Sequence, residues 1–230
     1  MYSNIGFITQ GRPLVDPNVR VARVERYEVL IPPPIEPVTL EDVKEWLKIP
    51  ASETADDNLI NSLITATRIF FEDYTNRILI NTRFRNFSNC FAQSFEFSRG
   101  KLQSLESFQY LVDGSFIDIP SNTYQVLNET FYWRIIFAQY QDLPTNKDDN
   151  IDIYQGIRTD FVASFGETRD TIPEDIKIGL YNHIAAWYEN RGDCDSAICS
   201  DCSGTLPLVS KMIYNKYRHQ TAFGAKYRGI

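Results

Sequence analysis

Residues 38–84 read VTLEDVKEWLKIPASETADDNLINSLITATRIFFEDYTNRILINTRF, two helix signals in succession and then a strand-like run. Thr39 suits an N-cap, because its hydroxyl can accept from the unpaired N–H groups of a first turn. Glu41 and Asp42 follow it and complement the positive end of the helix dipole. Leu40, Val43, Trp46 and Leu47 recur at helical spacing, and Pro50 predicts a stop after Ile49, giving a helix over 39–49. Asp56 and Asp57 open a second helix, 57–76. On it Ile60, Leu63, Ile64, Thr67, Phe71 and Tyr74 share a face that Leu59, Ala66 and Phe70 widen. So broad an apolar face requires cover from another element. Asn76 is placed to end this helix, and Ile78-Leu79-Ile80 begins an extended run. Taken alone, the pattern is a helical hairpin within a globular domain.

Working outward, residues 78–166 read mainly as strands. Phe95 and Phe97 alternate with polar residues, and Val112-Asp113-Gly114-Ser115 joins two apolar runs with the strongest short hairpin signal in the chain. Tyr124–Leu127, Tyr132–Phe137 and Ile151–Phe165 are further strand candidates, with Gln139–Asn150 as a polar loop. Pro173 is expected at the N1 position of a helix over 174–191, whose stripe of Ile176, Leu180, Ile184 and Trp187 would cover the second helix. Gly192 suits the position after its end.

The expected class is α+β: a helical bundle core, made of the hairpin and the C-terminal helix, with a central antiparallel β segment. Residues 1–37 are expected to be an extended, proline-rich arm with one or two short strands, reaching across a neighbour. Residues 193–205 form a cysteine-containing loop, and 206–230 a short helix and basic tail.

The 230 residues are 43% hydrophobic, enough for a sizeable core, and no apolar run approaches the roughly 20 residues of a membrane span. No secretory signal is visible, and the cysteines do not suggest a secreted disulfide framework, so a cytoplasmic setting is expected. The net charge is −7, yet Leu206–Ile230 holds Lys211, Lys216, Arg218, Lys226 and Arg228 and no acid. That tail carries +5 and leaves −12 on residues 1–205, a balance against broad wrapping of nucleic acid.

Cys194, Cys199 and Cys202 form C-x4-C-x2-C, a spacing at which thiolates can converge on zinc. Three ligands are one short of a closed site, so Cys90, an aspartate or His219 would have to complete it. Reduced cysteines without a ligand are the other reading, and no cofactor is required. His183 reads as a packing residue within its helix. Nucleophile elbow, phosphate loop and zinc-protease motifs are absent from the sequence, so no enzyme is expected.

The order of these elements resembles the head-to-tail connector (adaptor) family of tailed double-stranded DNA bacteriophages. The run Glu72-Asp73-Tyr74-Thr75-Asn76-Arg77-Ile78-Leu79 matches that family's E-x-Y-T-x-R-x-L, and Pro173 through His183 to Arg191 is similar to its P-x-x-I-K…H-x-Y-E-N-R helix. The resemblance implies a virion neck protein, assembled in the host cytoplasm as a dodecameric ring beneath the portal. Such a ring extends the DNA channel, lets DNA pass without sequence-specific binding, and docks the next tail or neck protein. The tail residues Lys211, Tyr214, Lys216, Tyr217, Arg218, Phe223, Lys226, Tyr227 and Arg228 are the expected partner-binding set, with the portal as first partner and DNA second. A non-viral or regulatory protein-binding module, zinc-stabilised through the cysteine loop, is the rival reading.

Overall fold

A computed structural model of the chain describes residues 21–24, 27–88, 92–112, 114–129, 132–137, 156–190 and 206–218. Four helices lie among them: α1 (Leu40–Trp46), α2 (Asp57–Thr75), α3 (Glu174–Glu189) and α4 (Leu208–Tyr217). The strands are β1 (Val21–Val24), β2 (Tyr27–Ile31), β3 (Thr82–Ser88), β4 (Ser94–Phe97), β5 (Leu102–Val112), β6 (Ser115–Asp118), β7 (Tyr124–Asn128), β8 (Trp133–Phe137) and β9 (Ile157–Ala163). They make one sheet of order β1-β4-β8-β7 and another of order β2-β3-β9-β5-β6, antiparallel throughout except for β1 beside β4.

The strands bury an aromatic core of their own. Trp133 lies flat on its cross-strand partner Phe97, with ring centroids 3.8 Å apart and planes at 3°. Phe161 of the other sheet meets Trp133 edge-on at 4.8 Å, and Phe95 meets Phe108 at 5.6 Å. These pairs fasten one sheet to the other by aromatic burial and edge-to-face contact. The second apolar cluster is helical and holds Val43, Ile60, Ile64, Phe71, Ile176, Leu180, Ile184 and Tyr214. The expected helical bundle core is therefore half of the story: the body is mixed α and β, and its strands carry a core as substantial as the helices'.

The helices obey the local signals closely. Thr39 Oγ1 accepts from Asp42 N–H at 3.0 Å, and Thr39 N–H donates to the Asp42 carboxylate at 3.2 Å, a reciprocal capping box. Helix α1 stops at Trp46 rather than Ile49. Lys48 turns left-handed (φ 61°), and its N–H and that of Ile49 return to the carbonyls of Glu45 and Lys44. That Schellman arrangement closes the helix before Pro50 can act. Asn76 ends α2 in the left-handed conformation as expected (φ 56°). Pro173 is the N-cap of α3 rather than its first helical residue. Gly192 lies outside the described residues.

The face of α2 differs from expectation at two points. Ala66 is exposed, while Arg68 and Glu72 are buried. Their charges are tolerated because they pair: Arg68 donates to Glu72 at 3.1 Å and to Glu36 at 2.7 Å. Glu36 belongs to the expected arm, so residues 27–37 are part of the body. Strand β2 pairs with β3, and Ile35 packs on the helical core. Strand β1 likewise pairs with the chain's own β4. Residues 1–20 and 139–150 lie outside the described residues. The Asp-Gly signal is borne out, since β5 and β6 pair across it with Gly114 at φ 77°.

Candidate interaction surfaces

The run from Glu72 to Leu79 is the joint between helices, sheets and α4, and its residue types follow from that position. Glu72 accepts from the backbone N–H of Leu79 at 3.1 Å while holding Arg68, which ties the end of α2 to the chain leaving it. Burial raises the Glu72 carboxyl above its ordinary value despite the Arg68 charge. Asp73 pairs with Arg99 at 2.9 Å. Thr75 Oγ1 donates to the Phe71 carbonyl and accepts from Arg77 N–H, knitting the turn itself. Tyr74 Oη donates to Asn215, and Arg77 Nε donates to the carbonyl of Tyr217, so two residues of the run reach α4 directly.

Helix α4 is seated chiefly on α3. Ser210 Oγ donates to the carbonyl of Gly179 at 2.8 Å, and Tyr214, fully buried, places its hydroxyl 3.3 Å from both that carbonyl and His183 Nδ1. At the far end Asp175 accepts from Lys216 and from Tyr217 Oη, both at 2.7 Å. Burial alone would raise the Asp175 carboxyl, but these two donors outweigh it and hold it below the usual carboxylate range. His183 packs among Trp187, Phe70 and Tyr214, and burial pushes its imidazole down to about 4. It is a packing residue, as expected.

These contacts divide the expected partner-binding set. Tyr214 is consumed by the chain's own core, because its ring fills the helical cluster, and Lys216 and Tyr217 are engaged with Asp175. Tyr217 is half-buried, while Lys216 remains exposed beside its carboxylate partner. Lys211 and Arg218 are exposed. Phe223, Lys226, Tyr227 and Arg228 lie outside the described residues, as do Cys194, Cys199 and Cys202. The sequence reading missed Asp175, Gly179 and Ser210 as the seat of α4. An isolated glycine in the middle of a helix was the available signal.

The remaining face of α4 is open. Leu208 is 72% exposed and Met212 67%, with Val209 to one side of them and Lys211 to the other. Among the described residues, nothing packs over this apolar face. Near the other end of α4 a cleft of about 550 Å³ is lined by Arg77, Lys101, Asn128, Glu129, Lys216 and Tyr217. Among the described residues no group of three or more His, Cys, Asp or Glu is placed to hold a metal ion, and no helix is long and apolar enough to cross a membrane.

Comparison with known proteins agrees with the resemblance read in the sequence. Residues 37–108 match the family model of the phage gp6-like head-tail connector protein. The matched span runs from the capping segment of α1 through α2 and the joint into β5. Three solved structures share the fold at 16% identity over 87% of this chain and 98% of theirs. They are the virion of a native gene transfer agent (GTA) particle, TM-score 0.70, the neck of an empty GTA particle computed with C6 symmetry, 0.68, and the neck of a native GTA particle computed with C12 symmetry, 0.57. No match was found among curated protein sequences.

Proposed function

We propose that this protein is a structural, non-enzymatic component of the neck of a tailed-phage-like particle. It forms a dodecameric ring beneath the portal, extends the DNA channel and offers a face to the next neck or tail protein. The observation that carries this reading is a fold shared over 87% of the chain with particle neck structures, together with a connector-family match across α1, α2 and the joint. Within it the chain works by shape and charge. A ring closes when one surface meets a different surface of the next copy and the rotation returns to its start. A body of −12 repels phosphate along the channel, so DNA passes without being held.

The +5 tail is the portal anchor in this reading, and the division of α4 moves that role to the residues beyond Arg218. Ending the chain after Gly204 would strip Tyr214 from the helical core, so it tests folding rather than docking. Ending it after Arg218 keeps α4 seated and removes Phe223, Lys226, Tyr227 and Arg228. The full chain, added to heads that carry a portal but no neck, is expected to bind and to permit tail attachment; the shortened chain is expected to fold and not to bind. A full chain that leaves such heads bare would sink the connector reading. A shortened chain binding at full occupancy would move the anchor to residues 1–20.

A further inference from the structure

Trp46, the last residue of α1, lies stacked over Tyr181 of α3 with centroids 5.4 Å apart and planes at 25°, yet it remains 42% exposed. The pair forms the floor of a cleft of about 470 Å³ whose other lining residues are Asp42, Glu45 and Lys48. Burial first, then the fields of Asp42, Glu174 and Glu45, push the Tyr181 phenol up to about 12. Three carboxylates therefore act on this one ring. An aromatic floor in a negative field is chemistry for a cation on an apolar stem: ring faces attract ammonium groups, and thioethers pack well against aromatics.

The open face of α4 has that chemistry, with the exposed side chains of Leu208 and Met212 beside Lys211. One copy cannot bring the two together. Helix α4 sits on the side of α3 marked by Gly179 and His183, whereas Tyr181, two residues beyond Gly179, points about 200° further around the helix. The two surfaces thus look away from each other across α3. Complementary patches facing apart on one molecule are what a head-to-tail contact requires.

We propose that the α4 face of one copy docks into the Trp46–Tyr181 cleft of a second copy, with Lys211 toward Asp42 and Glu45 and with Leu208 and Met212 against the indole. The inference rests on the ring reading and names the contact that closes it. It also accounts for the firm seating of α4, since a helix that carries a subunit contact must transmit its position to the body.

A charge swap in the full-length chain tests it, read by sedimentation velocity over a concentration series. Lys211→Glu and Glu45→Lys are each expected to weaken self-association at least tenfold, and the two together in one chain to restore most of it. Both sites are exposed, and circular dichroism checks that each variant is folded. Trp46→Ala is expected to weaken association without any rescue by charge. Single variants that associate like wild type, a double variant no better than the singles, or a wild type monomeric at every soluble concentration would each overturn the pairing. Head binding is scored separately by electron microscopy. Wild-type association that the swap governs, with heads left bare, would retain this contact and remove the connector reading. Variants that associate normally yet lose the heads would assign the α4 face to the portal instead.

Discussion

Ser210 Oγ donates to the carbonyl of Gly179 across 2.8 Å, seating α4 on α3 where α3 has no side chain. A Cβ at Gly179 would stand 3.0 Å from Cε1 of the Tyr214 ring and 3.3 Å from Cγ2 of Ile213. The ring cannot retreat easily, because Phe71 meets it edge-on at 4.9 Å from the other side. The joint between α3 and α4 is therefore a close fit with little slack.

Gly179→Ala should accordingly destabilise the protein. Overpacking costs about 1–3 kcal/mol, and the better helix propensity of alanine returns about 1, so a net loss of about 1 kcal/mol is expected. Chemical denaturation measures the loss, and hydrogen exchange should locate it in the amides of α4. An unchanged midpoint would mean that the slot accepts a methyl group.

Phe71 and Trp187 separate the inner from the outer part of the helical interface. Phe71 is fully buried, whereas Trp187 is half-buried and touches Phe70 and His183 at the margin. Phe71→Ala is expected to cost about 3–5 kcal/mol and Trp187→Ala clearly less. Urea titrations of the two variants give the comparison, and a reversed order would misplace the core.

Acid should loosen the α3–α4 joint in two steps. His183 has a folded pKa of about 4, against about 6.5 when unfolded, so between those values the unfolded chain takes up a proton that the folded one refuses. Its contribution is complete above about pH 6.5 and is lost as pH falls toward 4, by up to about 3 kcal/mol. Asp175, whose folded pKa is depressed, keeps its contribution above the ordinary carboxylate value and loses it only as pH falls through the folded one. Melting curves from pH 7 to 4 should show the first step, and His183→Gln should flatten it.

The cysteine loop is expected to be dispensable for folding. Replacing Cys194, Cys199 and Cys202 together by serine should leave the melting temperature within a few degrees of the parent. Stoichiometric zinc in the purified protein, with collapse of the triple variant, would establish a metal site there instead.

The sequence alone determined what is local. Thr39 and Asp42 form a capping box because cap and carboxylate stand three residues apart. Asn76 ends α2 because a short polar side chain tolerates the left-handed turn, and Gly114 lets β5 return as β6. The order of these signals also carried the connector resemblance, since it is a pattern of types along a chain. Periodicity went wrong where charge pairs over distance. The stripe read on α2 did not include Arg68 and Glu72, and only Glu36, more than thirty residues earlier in the chain, completes the buried network that holds them. Pairing between remote strands gave the β half its own core, which no single strand reveals, because each buries its face against a partner whose identity lies elsewhere in the chain. The fate of the tail was likewise a tertiary decision. Tyr214 and Leu208 are both large apolar residues of one short helix, and spacing assigns neither to a partner. Docking on Gly179 turned Tyr214 inward and Leu208 outward, so the geometry of α3 decided which side chain joins the core and which is left outside it.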